Sequence, residues 1–127
     1  MITVFVYGTL LAGESNHAII APYVLAAAPG HVRGWLYNVG DYPALVLDDN
    51  GEEIEGEWLE LSDEALVPMD ELEGYGGVDA DNDYERVVAS DSRNAGQSGW
   101  IYVWRESRGC RRIEGGSWRR HQRRSRF

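Results

Sequence analysis

Residues Ile2 to Leu10 restrict the fold of this chain more than any other stretch. Ile2, Thr3, Val4, Phe5 and Val6 are β-branched or aromatic and offer apolar groups to both faces. That pattern reads as a strand over residues 2–7, buried in the interior of a sheet. The turn Tyr7-Gly8-Thr9-Leu10 follows at once. Gly8 lets the backbone turn sharply and puts no side chain over it. The turn therefore offers bare N–H groups at a strand end, where they can hold a small anion or a carbonyl oxygen without a charged side chain.

The rest of the chain alternates short elements. Ser15 or Asn16 can cap a short helix from His17, which Pro22 shortens or kinks. Pro29-Gly30 reads as a break, and His31 to Val39 as a strand. Ala44 to Leu47 and Glu53 to Leu61 are further strands. Between them Asp49-Asn50-Gly51 is a hairpin signal. Ser62-Asp63-Glu64 opens a helix that runs to Gly74, with Pro68 as a possible kink. Gly76 to Asp83 is an acidic loop, and Tyr84 to Ala89 and Trp100 to Trp104 are strands. Short strands with few helices point to an α+β fold, a small mixed β-barrel or curled sheet with short helices. Residues 1–118 are expected to form one domain, and 119–127 an Arg-rich C-terminal tail.

Charge is unevenly placed. Before residue 105 there are three arginines against nineteen acidic residues; from 105 onward there are nine arginines against two, and lysine is absent. The body repels polyanions, so a nucleic-acid function is not expected for it. The segment Trp118 to Phe127 reads as a solvated tail or one folded against the acidic body; binding to nucleic acid or an acidic partner is the alternative. No apolar run is long enough to span a bilayer, so no membrane partner is expected. Cys110 is alone and the N-terminus lacks a basic n-region, so a cytoplasmic protein without an internal disulfide is expected.

No metal is expected either. Asp79-Ala80-Asp81-Asn82-Asp83 hints at a calcium loop, but Tyr84 stands where an EF-hand needs glycine and Ser90 where it needs glutamate. His17, His31 and His121 have no metal-ligand spacing with one another or with Cys110. A Gly-x-Ser-x-Gly nucleophile elbow is missing as well.

The helix before Gly74 carries three carboxylates in its last turn, and its phase separates them. Leu66, Met69 and Leu72 mark an apolar face. With about 100° per residue, Glu73 falls roughly 40° from Met69, Asp70 roughly 100° and Glu71 roughly 200°. Glu73 is thus aimed inward, Asp70 lies at the edge and Glu71 faces solvent. An inward glutamate is either ion-paired, with Arg86 as a candidate partner, or a functional group of raised proton affinity.

These residues together resemble the gamma-glutamylcyclotransferase-like family. The resemblance rests on Val4 to Leu10 with Gly13 and Asn16-His17; Gly34 to Tyr37 with Tyr42-Pro43-Ala44; Gly56-Glu57; Met69 to Tyr75; and Tyr84-Glu85-Arg86. Trp100 to Trp104 and Gly115-Gly116-Ser117-Trp118 are similar to the family's closing strand and Gly-Asp-Trp segment, with Ser117 in place of the aspartate. The resemblance implies a small mixed β-barrel with helices packed on it. It also implies a lyase-type conversion of a γ-glutamyl amide or γ-glutamyl amino acid to 5-oxoproline and a free amine or amino acid, with no cofactor.

By that resemblance Glu73 is the catalytic acid/base, and Tyr7, Gly8, Thr9, Leu10 and Tyr84 bind substrate. Tyr7 and Tyr84 read equally well as packing residues. The amides of Gly8 to Leu10 would hold the α-carboxylate, the developing oxyanion or both. A γ-glutamyl deprotecting enzyme of a biosynthetic route and a non-catalytic module that keeps the pocket are the alternative readings.

Overall fold

The computed structural model describes residues 1–125; Arg126 and Phe127, the end of the basic tail, lie outside the described residues. Among the described residues, seven strands share one sheet. They are β1 (Ile2–Val6), β2 (Val24–Asn38), β3 (Pro43–Leu47), β4 (Glu52–Leu61), β5 (Glu85–Ser90), β6 (Ser98–Val103) and β7 (Arg111–Ile113). Helices α1 (Leu66–Glu73) and α2 (Trp118–Ser125) pack beside them. The strand order is β3-β2-β4-β1-β6-β5, with β7 also on β2. β1 and β6 run parallel and every other pair is antiparallel.

The sheet curls until β3 meets the end of β6, where the Trp104 amide donates to the Leu45 carbonyl at 2.9 Å. The result is the expected α+β class: a curled, barrel-like sheet with short helices. Among the described residues, no helix is long and apolar enough to cross a membrane.

β1 lies inside the sheet, and its two faces explain its sequence. Val4 and Val6 enter one apolar cluster with Leu59, Leu61 and Met69; Phe5 and Tyr7 enter the other with Ile54, Trp58 and Leu36. Both faces of the strand are therefore buried, as its unbroken apolar run requires.

Several local expectations are corrected. Pro29-Gly30 does not break the chain, because β2 runs through it. His31 turns its backbone away from β4, toward Asp91 and Ser92. Pro29, two residues earlier, shares that orientation on a stretch of β2 flanked by β4 alone, and an edge tolerates the missing donor.

Asp49-Asn50-Gly51 turns the chain without making a hairpin. β3 and β4 lie on opposite sides of β2, which is long enough to pair with both, and Gly34 pairs with Leu47 and with Glu52. From His17 the chain forms two 3-10 turns, His17–Ile19 and Ala21–Tyr23, and Asn16 sends its side chain to Thr9 instead of capping. Ser62 precedes a 3-10 turn, Asp63–Ala65, before α1 begins. Pro68 is the third residue of α1, where an N–H has no intrahelical partner to lose. Leu72, placed on the apolar face by phase, is 38% exposed. β7 and α2 have no counterpart in the sequence reading. In α2, Arg119 pairs with Glu14 and Glu57, and Arg120 with Glu55.

Candidate functional site

Where β1 ends, its chain leaves the ladder with β4 and turns outward. The Gly8 carbonyl accepts from the Leu11 amide at 3.1 Å, and the Thr9 carbonyl from the Asn16 amide at 2.9 Å. Asn16 Nδ2 donates to Thr9 Oγ1 at 3.0 Å, and His17 Nδ1 lies 2.7 Å from the Leu10 carbonyl. The turn is held through its carbonyls and side chains. The amides of Gly8, Thr9 and Leu10 donate to no group among the described residues. Gly8 is needed for a reason the sequence does not reveal: a Cβ there would lie 2.6 Å from Pro43 Cγ. The glycine admits a neighbouring loop, and its φ is not positive.

Above this turn is a cavity of about 230 Å³, lined by Tyr7 to Leu10, Asn16, Tyr42-Pro43, Leu72-Glu73, Asp83-Tyr84 and Tyr102, with Phe5 and Val6 beneath. Every residue assigned to the site from sequence lies on it: Glu73, Tyr7, Gly8, Thr9, Leu10 and Tyr84. Asn16, Tyr42, Asp83 and Tyr102 are added by the structure. Asn16, Tyr42 and Tyr102 stood within the family resemblance without a site assignment, and Asp83 stood outside it. The curl of the sheet brings them together.

Glu73 reaches the cavity because α1 stops abruptly. Gly74 adopts φ 64°, and its amide and that of Tyr75 return to the carbonyls of the last turn. The chain then loops back, so that the Asp83 amide donates to the Gly74 carbonyl at 3.0 Å and the Tyr84 amide to the Glu73 carbonyl at 3.1 Å. These two bonds place Asp83 and Tyr84 beside Glu73. No hydrogen bond or ion pair engages the Glu73 carboxyl among the described residues. Burial, and then the negative charge of Asp83, push its pKa up to about 7.

The candidate ion-pair partner of Glu73 is committed elsewhere. Arg86 donates to both oxygens of Asp70, at 2.8 and 2.6 Å. The Tyr102 hydroxyl donates to the same carboxylate at 2.6 Å. The guanidinium lies between the rings of Tyr75 and Trp100, 4.7 and 4.8 Å from their centroids. The ion-paired reading of Glu73 through Arg86 is therefore excluded.

The two tyrosines are walls with occupied hydroxyls. Tyr7 donates to the Tyr102 carbonyl at 2.7 Å and accepts from the Leu45 amide at 3.2 Å, linking β6 to β3. Tyr84 donates to the Pro43 carbonyl at 2.8 Å. Burial first, and then neighbouring acidic groups that include Glu73, raise the pKa of both phenols, which stay neutral. The cavity thus combines one half-buried carboxyl, unpaired among the described residues, with free backbone donors and mostly uncharged walls.

The family model described as gamma-glutamyl cyclotransferase, AIG2-like, matches residues 4–120. A Niallia circulans protein named gamma-L-glutamyl-butirosin B gamma-glutamyl cyclotransferase is 37% identical over 107 residues, which cover 82% of this chain and 67% of that protein. The crystal structure of an AIG2-like protein from Mus musculus superposes with a TM-score of 0.69 at 25% identity, covering 91% of this chain and 87% of the other. An uncharacterised protein from Pyrococcus horikoshii shares the fold, with a TM-score of 0.73 at 20% identity over 99% of this chain and 97% of its own.

Proposed function

This chain belongs to the gamma-glutamyl cyclotransferase, AIG2-like family, and from that premise we propose that it converts a γ-glutamyl amide to 5-oxoproline and a free amine, with Glu73 as general acid/base. The observation that carries the proposal is the unpaired, half-buried carboxyl of Glu73 in the same cavity as the free amides of Gly8, Thr9 and Leu10.

The reaction needs no nucleophile from the protein. The α-amine of the substrate attacks its own γ-carbonyl, a C–N bond closes the lactam, and the amide C–N bond to the leaving amine breaks. The cavity's task is to fold the glutamyl chain so that nitrogen and carbonyl meet, and such orientation can contribute up to roughly 7–11 kcal/mol.

A proton must first leave the ammonium. An α-amine titrates near ~8 and an ordinary glutamate near ~4.3, so the transfer would be uphill by about 5 kcal/mol. With Glu73 at about 7, the gap falls to about 1.4 kcal/mol. The same carboxyl then returns the proton to the departing amine. The amides of Gly8 to Leu10 hold the α-carboxylate, the developing oxyanion or both. Tyr7 and Tyr84, their hydroxyls tied to backbone, act as walls that exclude water.

The cavity, at about 230 Å³, is smaller than the ~300–1,000 Å³ typical of drug-sized ligands. It accommodates the glutamyl group and leaves the amine to project past the rim. That favours a second reading, in which the enzyme removes a γ-glutamyl group from a larger amine, as the name of the butirosin-related relative also suggests.

The test is to incubate the protein with γ-glutamyl amides and γ-glutamyl amino acids and measure 5-oxoproline, in parallel with Glu73→Gln. The expected result is product from at least one amide and near-complete loss in the variant. Undiminished turnover by Glu73→Gln would overturn the mechanism.

A further inference from the structure

One residue grips the turn after β1 at two points. The Asn16 amide donates to the Thr9 carbonyl at 2.9 Å, and Asn16 Nδ2 donates to Thr9 Oγ1 at 3.0 Å. Only the second bond belongs to the side chain, so the backbone bond holds the turn without it. Asn16 and Thr9 both line the cavity.

The side-chain bond decides where a proton goes. A hydroxyl has one proton to give and two lone pairs, and an amide nitrogen has no lone pair to receive that proton. A Thr9 Oγ1 that accepts from Asn16 Nδ2 must therefore aim its own O–H elsewhere. Nothing among the described residues accepts it. The other hydroxyls on the cavity are placed differently. Tyr7 and Tyr84 donate to backbone carbonyls, Tyr102 donates to Asp70, and Tyr42 stands 40% exposed at the rim. Thr9 thus adds an uncommitted O–H to the free amides of its own turn.

We infer that Asn16 is a positioning residue: by donating to Thr9 Oγ1 it turns the Thr9 O–H onto the α-carboxylate of the substrate. The inference rests on the cyclotransferase reading. No residue lining the cavity is a cation, so neutral donors must meet that carboxylate. An ionised carboxylate offers about four lone-pair sites, and the amides of Gly8, Thr9 and Leu10 supply one donor each. The Thr9 O–H completes the set. Accepting from Asn16 also polarises the hydroxyl and strengthens the bond it donates.

5-Oxoproline keeps the α-carboxylate of the substrate, so it probes this contact whatever amine leaves. Its Kd is measured by calorimetry for the native protein, Asn16→Ala, Thr9→Val and the double variant. Thr9→Val keeps the shape and lacks the hydroxyl; it should weaken binding about tenfold or more, the range for a hydrogen bond to a charged group. Asn16→Ala should cost about fivefold, because the freed hydroxyl still meets the carboxylate part of the time. In the Thr9→Val background Asn16→Ala should add nothing, since the group it acts through is gone. Thr9→Ser should bind as the native protein does and keep its sensitivity to Asn16→Ala. With the γ-glutamyl amide of propylamine, the same losses should appear in KM and leave kcat nearly unchanged, since the carboxylate is charged in ground and transition states alike.

An equal loss from Asn16→Ala with and without the Thr9 hydroxyl would mean that Asn16 touches the ligand itself or only braces the turn, and would overturn the inference. A loss confined to kcat would move the hydroxyl to the oxyanion and overturn it too, as would a Thr9→Ser variant as weak as Thr9→Val. Thr9→Ala gives the same cycle if Thr9→Val does not fold. All three results leave the cyclotransferase reading in place. A native protein that neither binds 5-oxoproline nor releases it from the amide would overturn that reading, and this inference with it.

Discussion

The last turn of α1 presents two carboxylates to the rest of the molecule, and the fold treats them differently. On one side, Asp70 is gripped by Arg86 and the Tyr102 hydroxyl, with the guanidinium packed between two aromatic rings. On the other side, three residues along, Glu73 has no partner among the described residues and lines a cavity with free backbone donors. The Asp70 pair ties the helix to β5 and β6 and fixes its rotation. With that rotation set, Glu73 can point only into the cavity. One carboxylate anchors the helix, and the other is left available for proton transfer by the anchoring.

The sharpest way to break this comparison is to neutralise each acid in turn. Glu73→Gln should lower kcat/KM for γ-glutamyl amides by about a thousandfold, the range for removal of a general acid/base, in a 5-oxoproline assay. Asp70→Asn should act mainly on stability, and a comparable catalytic loss there would erase the distinction.

The second effect is on stability, with a defined sign in pH. The Glu73 pKa rises from 4.5 to about 7 on folding. The neutral carboxyl therefore favours the fold fully below pH 4.5, and that benefit is lost as pH rises through 7. Glu73→Gln cannot ionise. Denaturant unfolding should show it gaining on the native protein between those pH values, by up to about 3 kcal/mol at the alkaline end. A gap that stays constant with pH would mean the carboxyl is not held neutral by burial.

Arg86→Met comes next. It strips Asp70 of its cation while keeping an unbranched apolar stem. Asp70 and Arg86 are only 23% and 16% exposed, so the loss should be about 2 kcal/mol of unfolding free energy. Because the helix rotation loosens, kcat should fall as well. Tyr102→Phe, which leaves Arg86 in place, should cost about 1 kcal/mol.

Much of this arrangement is legible in the chain itself. A strand β-branched or aromatic at every position suits burial on both faces, and β1 is buried on both from Val4 to Val6. Helical phase separates Glu73 from Glu71, and Gly74 stops the helix at the expected residue. The misreadings share a cause. Asp49-Asn50-Gly51 encodes a turn, but which strands pair beyond it depends on β2 being long enough to take both. Pro29 encodes a missing donor, but not whether that donor would have faced a free edge. Leu72 fits the apolar face by phase, yet the cavity opens beside it.

The sequence by itself determined the local elements, the bare-amide turn after β1 and the inward glutamate, because these follow from backbone preference and helical period. Tertiary structure alone decided which acid Arg86 would take and that Pro43 would press against Gly8. It also decided that Asp83 would come to stand beside Glu73. Each of these joins residues far apart in the chain through the curl of one sheet, and no local propensity encodes such a meeting.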